Sequence, residues 1–246
     1  MTQHPFGPRL YVGAVIAAGG GLLVYLAPRE LHNPAVAAAL LASTILLSVF
    51  KLRLPLGDSV STMSMAYTVN FLALLVESAN LAMLLGAIGV LIQCTVRVRR
   101  QQPIHRAAFS AAAVIIAVQG AGWGWSALGG TLTQLTLTTT VLPLAVCAIT
   151  YFAVNTGLVA GAIAVTSDSP RRALNPEFLR TAPAFLVAVA VAGLIGVAML
   201  HGVIFLTPIV ASPLYVCYRG YQKRWADMAT ALLERAAQTD DLRLTA

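Results

Sequence analysis

The sequence predicts an all-α, polytopic membrane helix bundle of about eight transmembrane segments, with seven as the alternative count, followed by a cytoplasmic C-terminal amphipathic helix. Three observations predict it. Of the 246 residues, 58% are apolar and only 10% charged, with a mean hydropathy of +0.79. A soluble domain carries about 25% charged residues and has no interior large enough to hide this much apolar surface. Apolar runs near the roughly 17–25 residues that cross about 30 Å of hydrocarbon follow one another along the chain. The basic residues are confined to the links between those runs.

The runs are Leu10–Ala27, Pro34–Phe50, Met63–Val76, Asn80–Val96, Arg106–Leu128, Thr138–Thr166, Thr181–Leu200 and Val203–Tyr218. The first has a basic flank at Arg9, but Tyr25-Leu26-Ala27-Pro28 is a poor cleavage site, so it reads as a retained span. Met63–Val76 is short and polar, which requires shielding by neighbouring helices. Val203–Tyr218 holds Pro208 and Pro213 and reads as kinked or re-entrant, the origin of the alternative count. Pro143 is expected to bend the long sixth run.

With the N-terminus inside and eight crossings, fifteen of the sixteen Lys and Arg fall on the cytoplasmic side and only Arg29 outside. This is a strong positive-inside pattern and favours an even number of spans. It predicts a multi-pass membrane protein with both termini inside, and abundant Ala and Arg with few Lys suggest a GC-rich bacterial genome and hence a bacterial cytoplasmic membrane. The bundle would occupy residues 1–218 and the cytoplasmic helix and tail 219–246.

Several function classes are disfavoured. The net charge of +7 is spent on topology, and no basic–aromatic alternation or Gly-rich phosphate loop points to nucleic acid. Cys94, Cys147 and Cys217 lie inside apolar runs, and His4, His32, His105 and His201 are scattered, so no metal or other cofactor is expected. No Ser/His/Asp set, paired membrane-depth carboxylates or GxSxG appears, which argues against an enzyme. Charged residues are absent from span centres, which argues against a proton or ion pump.

Polar residues at membrane depth are costly, so they are the candidate functional positions. Ser64, Tyr67, Asn70 and Glu77 share one face of the third helix at 3, 3 and 7 spacing. Tyr151 and Asn155 are i, i+4 neighbours in the sixth run, and Gln119 and Trp123 are in the fifth. A cavity lined by Tyr67, Asn70, Glu77, Gln119, Trp123, Tyr151 and Asn155 is the expected small-molecule site. Asn and Gln, including Gln93, also serve as interhelical glue, and Trp123 and Trp125 as interface-belt residues. Gly19-Gly20-Gly21 and the Gly157–Gly161 pair are expected to permit close helix packing.

After Arg219 the composition changes. Tyr221, Trp225, Met228 and Leu232 at 4, 3, 4 spacing make one helical stripe. It suits either the headgroup layer of the membrane lipid or pairing in a homodimer, with transmission to a separate cytoplasmic signalling or energising protein.

Read together, LPLGDSVSTMSMAYTVNFLALLV (Leu54–Val76), RVRRQQPIHRAAFS (Arg97–Ser110), YFAVNTGLVAGAIA (Tyr151–Ala164) and the exit helix after Tyr218 resemble the vitamin-uptake-like sensor region. That region is a bacterial membrane module at the N-terminus of diguanylate cyclases and HD-GYP phosphodiesterases. It is similar to the substrate-binding S-components of energy-coupling-factor transporters. The resemblance covers about Leu10 to Gln238 and implies small-molecule sensing, or, in the S-component alternative, substrate capture for transport. The family often has Phe-Asn where this chain has Phe109-Ser110. No GGDEF or HD-GYP sequence follows, so a stand-alone relative and a truncated receptor are both open readings.

Overall fold

A computed structural model describes residues 6–28, 30–49, 51–56, 59–64, 66–96, 103–166, 182–203, 215–216, 219–220 and 230. Seven α-helices are seen among them: α1 (Phe6–Tyr25), α2 (Pro34–Val49), α3 (Ala66–Val76), α4 (Ala79–Thr95), α5 (Ile104–Ala127), α6 (Leu142–Thr166) and α7 (Ala182–Leu200). They match the first seven apolar runs to within a few residues. The eighth run lies almost wholly outside the described residues, as does the Tyr221–Leu232 stripe.

The expected helical bundle is found, with two further features. The described chain is a helical bundle but not purely helical: Lys51–Leu56 (β1) and Ser59–Ser64 (β2) form an antiparallel hairpin between α2 and α3. Four Ser and Thr residues and a proline in this stretch disfavour a helix and leave extended backbone. Among the described residues three helical segments, Gly7–Tyr25, Ile104–Ala127 and Leu137–Thr166, are long and apolar enough to cross a membrane, whereas α2, α3, α4 and Phe185–Leu200 are apolar but shorter. The 11 residues of α3 reach only about 16 Å. Among the described residues the structure therefore shows an apolar helical bundle with three helices of spanning length.

Local chemistry sets the helix ends. Asn33 Oδ1 accepts from the backbone N–H groups of Ala35 (3.1 Å) and Val36 (3.2 Å), with Pro34 at the first helical position where its missing N–H costs nothing. Ser78 caps α4, its hydroxyl accepting from Leu81 N at 3.2 Å. Before α6 the threonine-rich loop ties itself down: Thr140 Oγ1 donates to the carbonyls of Thr131 and Gln134, each at 2.8 Å. There the chain enters a π-helical turn, Leu137–Val141, that hands over to α6 beside Pro143. Pro143 thus sits at the junction where the π-helical turn passes into α6.

α5 is the central column, packed on α1, α4 and α6, while α3 lies among α2, α4, α5 and α7. Small residues permit this closeness. At Gly19 of α1 an added Cβ would lie 2.5 Å from the Cβ and 2.6 Å from the Cα of Ala112 on α5. Of the glycines singled out for packing, Gly19 meets α5 and Gly161 meets Tyr11, while Gly20, Gly21 and Gly157 face open space.

Gly19→Ala is expected to destabilise the detergent-solubilised protein by about 1–3 kcal/mol, the usual cost of overpacking against backbone. Gly20→Ala should be neutral or slightly stabilising. Thermal denaturation of the two variants checks the contrast; equal melting temperatures would contradict the α1–α5 contact.

Candidate functional site

The most enclosed polar segment is α3. It begins after the hairpin, at Ala66, so Ser64 belongs to a strand and not to the helical face predicted for it. Ala66, Thr68, Val69, Asn70, Phe71, Ala73 and Leu74 are all buried. The helix ends at Val76, where the N–H groups of Glu77 and Ser78 both donate to Ala73 O at 2.9 Å. The chain turns there into α4.

Asn70 faces α4. A Cβ on Gly86 would lie 3.1 Å from Asn70 Nδ2 and 2.7 Å from Val114 Cγ1 of α5. One turn on, a Cβ on Gly89 would lie 3.0 Å from Ser48 Oγ, 3.2 Å from Thr44 Cγ2 and 3.9 Å from Ala66 Cβ. The two glycines thus admit side chains of α2 and α3 onto the bare backbone of α4. The side-chain oxygens of Thr44, Ser48, Thr68 and Asn70 are buried and have no hydrogen-bond partner among the described residues. An unsatisfied buried polar group costs about 1–3 kcal/mol, so four of them call for an explanation.

On another side of α3, aromatic rings join three helices. Phe185 of α7 lies 5.1 Å from Tyr67, 5.6 Å from Tyr151 and 5.5 Å from Phe152, and Tyr151 meets Phe71 edge-on at 5.0 Å. These spacings are those of favourable tilted ring pairs. Tyr67 and Tyr151, expected to line one site, are therefore brought together around Phe185.

The remaining candidates sit elsewhere. Gln119 is buried, its Nε2 donating to Asn80 Oδ1 and lying near Met83 Sδ, both at 3.1 Å. It stitches α5 to the start of α4. Trp123 is 64% exposed, on the outside of the bundle, whereas Trp125 is buried. Asn155 is half-buried on α6. The side chain of Glu77 is 3% exposed and lies 4.0 Å from Nδ1 of the exposed His32, across from the loop that joins α1 to α2. Tyr221, Trp225, Met228 and Leu232 lie outside the described residues. Among the described residues no group of three His, Cys, Asp or Glu is placed to hold a metal.

Sequence reasoning missed Thr44, Ser48, Thr68 and Phe185. Thr44 and Ser48 carried a signal, since two hydroxyls at i, i+4 in an apolar run share a helix face. Phe185 carried none. No family model, curated protein or solved structure matches the chain.

A double-mutant cycle on Gln119→Leu and Asn80→Leu should give a coupling of about 0.6 kcal/mol, and no more than about 1.7, as for interhelical hydrogen bonds in membranes. Additive losses of thermal stability would show that the α4–α5 bond carries no energy of its own.

Proposed function

We propose that this chain is a membrane-embedded binding module for a small molecule, without enzymatic activity of its own. It relays its occupancy to a cytoplasmic partner, or to a second copy, through the helix after Arg219. The proposal includes a bacterial cytoplasmic membrane, both termini inside, and as many as eight crossings. The observation that most directly supports binding is Asn70. Its carboxamide oxygen is buried and unpartnered on a helix too short to span, and the Tyr67–Phe185–Tyr151 rings pack on another side of the same helix. A few polar groups among apolar and aromatic side chains are the usual make-up of a small-molecule site. Binding would shift the protein between helix arrangements only by its differential affinity for them.

A second reading, a substrate-capture subunit or small-solute transporter, is favoured by α3 itself, because short hydrophobic segments mark binding sites in transporters. The tail separates the two. Removing the residues after Tyr221 should abolish signalling by a sensor and leave uptake by a capture subunit unchanged.

Small molecules released from gently purified protein should include a compound present in the native chain and lost from the Tyr67→Ala/Asn70→Ala variant, as read by mass spectrometry. Equal retention by both would remove this site from consideration. Reporter fusions should place both the N-terminus and residue 246 in the cytoplasm; opposite sides would require an odd number of crossings.

A further inference from the structure

One end of the bundle holds an ion pair that the Asn70 site does not use. Glu77 forms the turn between α3 and α4, where its N–H and that of Ser78 both donate to Ala73 O. Its side chain is only 3% exposed, although a lone carboxylate is costly to bury. Glu77 Oε2 lies 4.0 Å from Nδ1 of His32, whose side chain is 81% exposed, and this is the one ion pair among the described residues. Both partners stand on anchored backbone. His32 directly precedes Asn33, which caps α2, and Glu77 directly precedes Ser78, which caps α4. The contact therefore ties the α1–α2 loop, at the start of α2, to the α3–α4 turn.

The two partners differ in their access to protons. The carboxylate is enclosed, whereas the imidazole stands in the medium. Histidine is the side chain whose charge ordinarily changes between about pH 5 and 8. Protonated, it presents a positive charge to Glu77; neutral, it presents none. The other described titratable groups at this end are Tyr25 of α1, Glu30 of the α1–α2 loop and His201 after α7, all exposed. None of them lies within ion-pair distance of His32 or Glu77. Residues 128–141, between α5 and α6, carry no titratable side chain, and Arg29 is outside the described residues. We propose that His32 and Glu77 form a pH-responsive clasp. Acid closes it by charging His32, which holds the α1–α2 loop against the α3–α4 turn; loss of that proton as the pH rises releases it. In the proposed topology this end faces outward, so the external medium sets the clasp, and that side alone rests on the topology.

The test is a double-mutant cycle on the full-length protein in detergent. Wild type, His32→Gln, Glu77→Gln and the double variant are melted at about pH 5.5 and about pH 8, either side of the histidine range. At the lower pH the two substitutions should be non-additive by about 1–3 °C in melting temperature, and at the higher pH they should be additive. Equal coupling at both pH values would overturn the switch and leave a fixed polar contact. Additivity at both would overturn the contact itself. His32→Arg supplies a check that needs no Glu77 variant to fold, because arginine keeps its charge at either pH. It should melt about 1–3 °C above His32→Gln even at the higher pH; no difference between the two would overturn the pairing. Glu30→Gln should leave the pH dependence unchanged, and its loss there would also overturn the proposal, by moving the acidic partner away from Glu77. The reporter fusions that fix the side of the membrane, and the retention of a small molecule, stand or fall independently of these melting curves.

Discussion

Polar groups enclosed by apolar helices must find a partner or lose stability, and α3 is where this constraint governs the molecule. Eleven residues of helix cannot span a bilayer, and their termini would expose unsatisfied backbone groups to lipid. Such a segment persists only if other helices surround it. α2, α4, α5 and α7 do so, and α5 holds α4 in place through Gln119 and Asn80. The outer helices thus create the enclosed position, and that position makes Asn70 and Thr68 chemically consequential.

Close approach rather than bulky interdigitation carries the packing. In a membrane the hydrophobic effect does not drive one helix onto another, so van der Waals contact between small residues must do it. Gly19 against Ala112 and Gly122 against Ala79 bring α1 and α4 close onto the α5 column. The same device at Gly86 and Gly89 admits the Asn70 amide and the Ser48 hydroxyl beside methyl groups of Val114 and Thr44. The bundle thereby acquires an interior polar line without a charged residue in any span centre.

Helix positions were legible because each is an uninterrupted apolar run between polar links, and lipid-compatible composition leaves helix as the satisfying conformation. What the runs do not encode is depth. Trp123 and Gln119 stand four residues apart on one helix, yet one is exposed and the other buried, because α5 is ringed by neighbours along most but not all of its length. When nearly every residue of a helix is apolar, periodicity cannot distinguish the lipid face from the protein face. Tyr67 and Tyr151 were identifiable because aromatic hydroxyls are uncommon in such runs. Their meeting point, Phe185, was not, because one more apolar residue in an apolar helix is silent. The hairpin was hidden for the opposite reason: its Ser, Thr and Pro residues read as a turn, and pairing across that turn is a tertiary property.

The aromatic cluster also fixes how a change at α3 would travel in the proposed reading. α7 rests on α3 at two heights, through Tyr67 against Phe185 and through Leu72 beside Gly196. A guest that altered the seat of Tyr67 would move the Phe185 end of α7 more than its Gly196 end, because the glycine contact lacks a ring to be displaced. Phe185 also touches Tyr151 and Phe152, so α6 would follow. α6 and α7 are thereby both joined to α3 through one aromatic cluster. In that reading the shared contact would rearrange discretely, because close-packed interiors do not deform continuously.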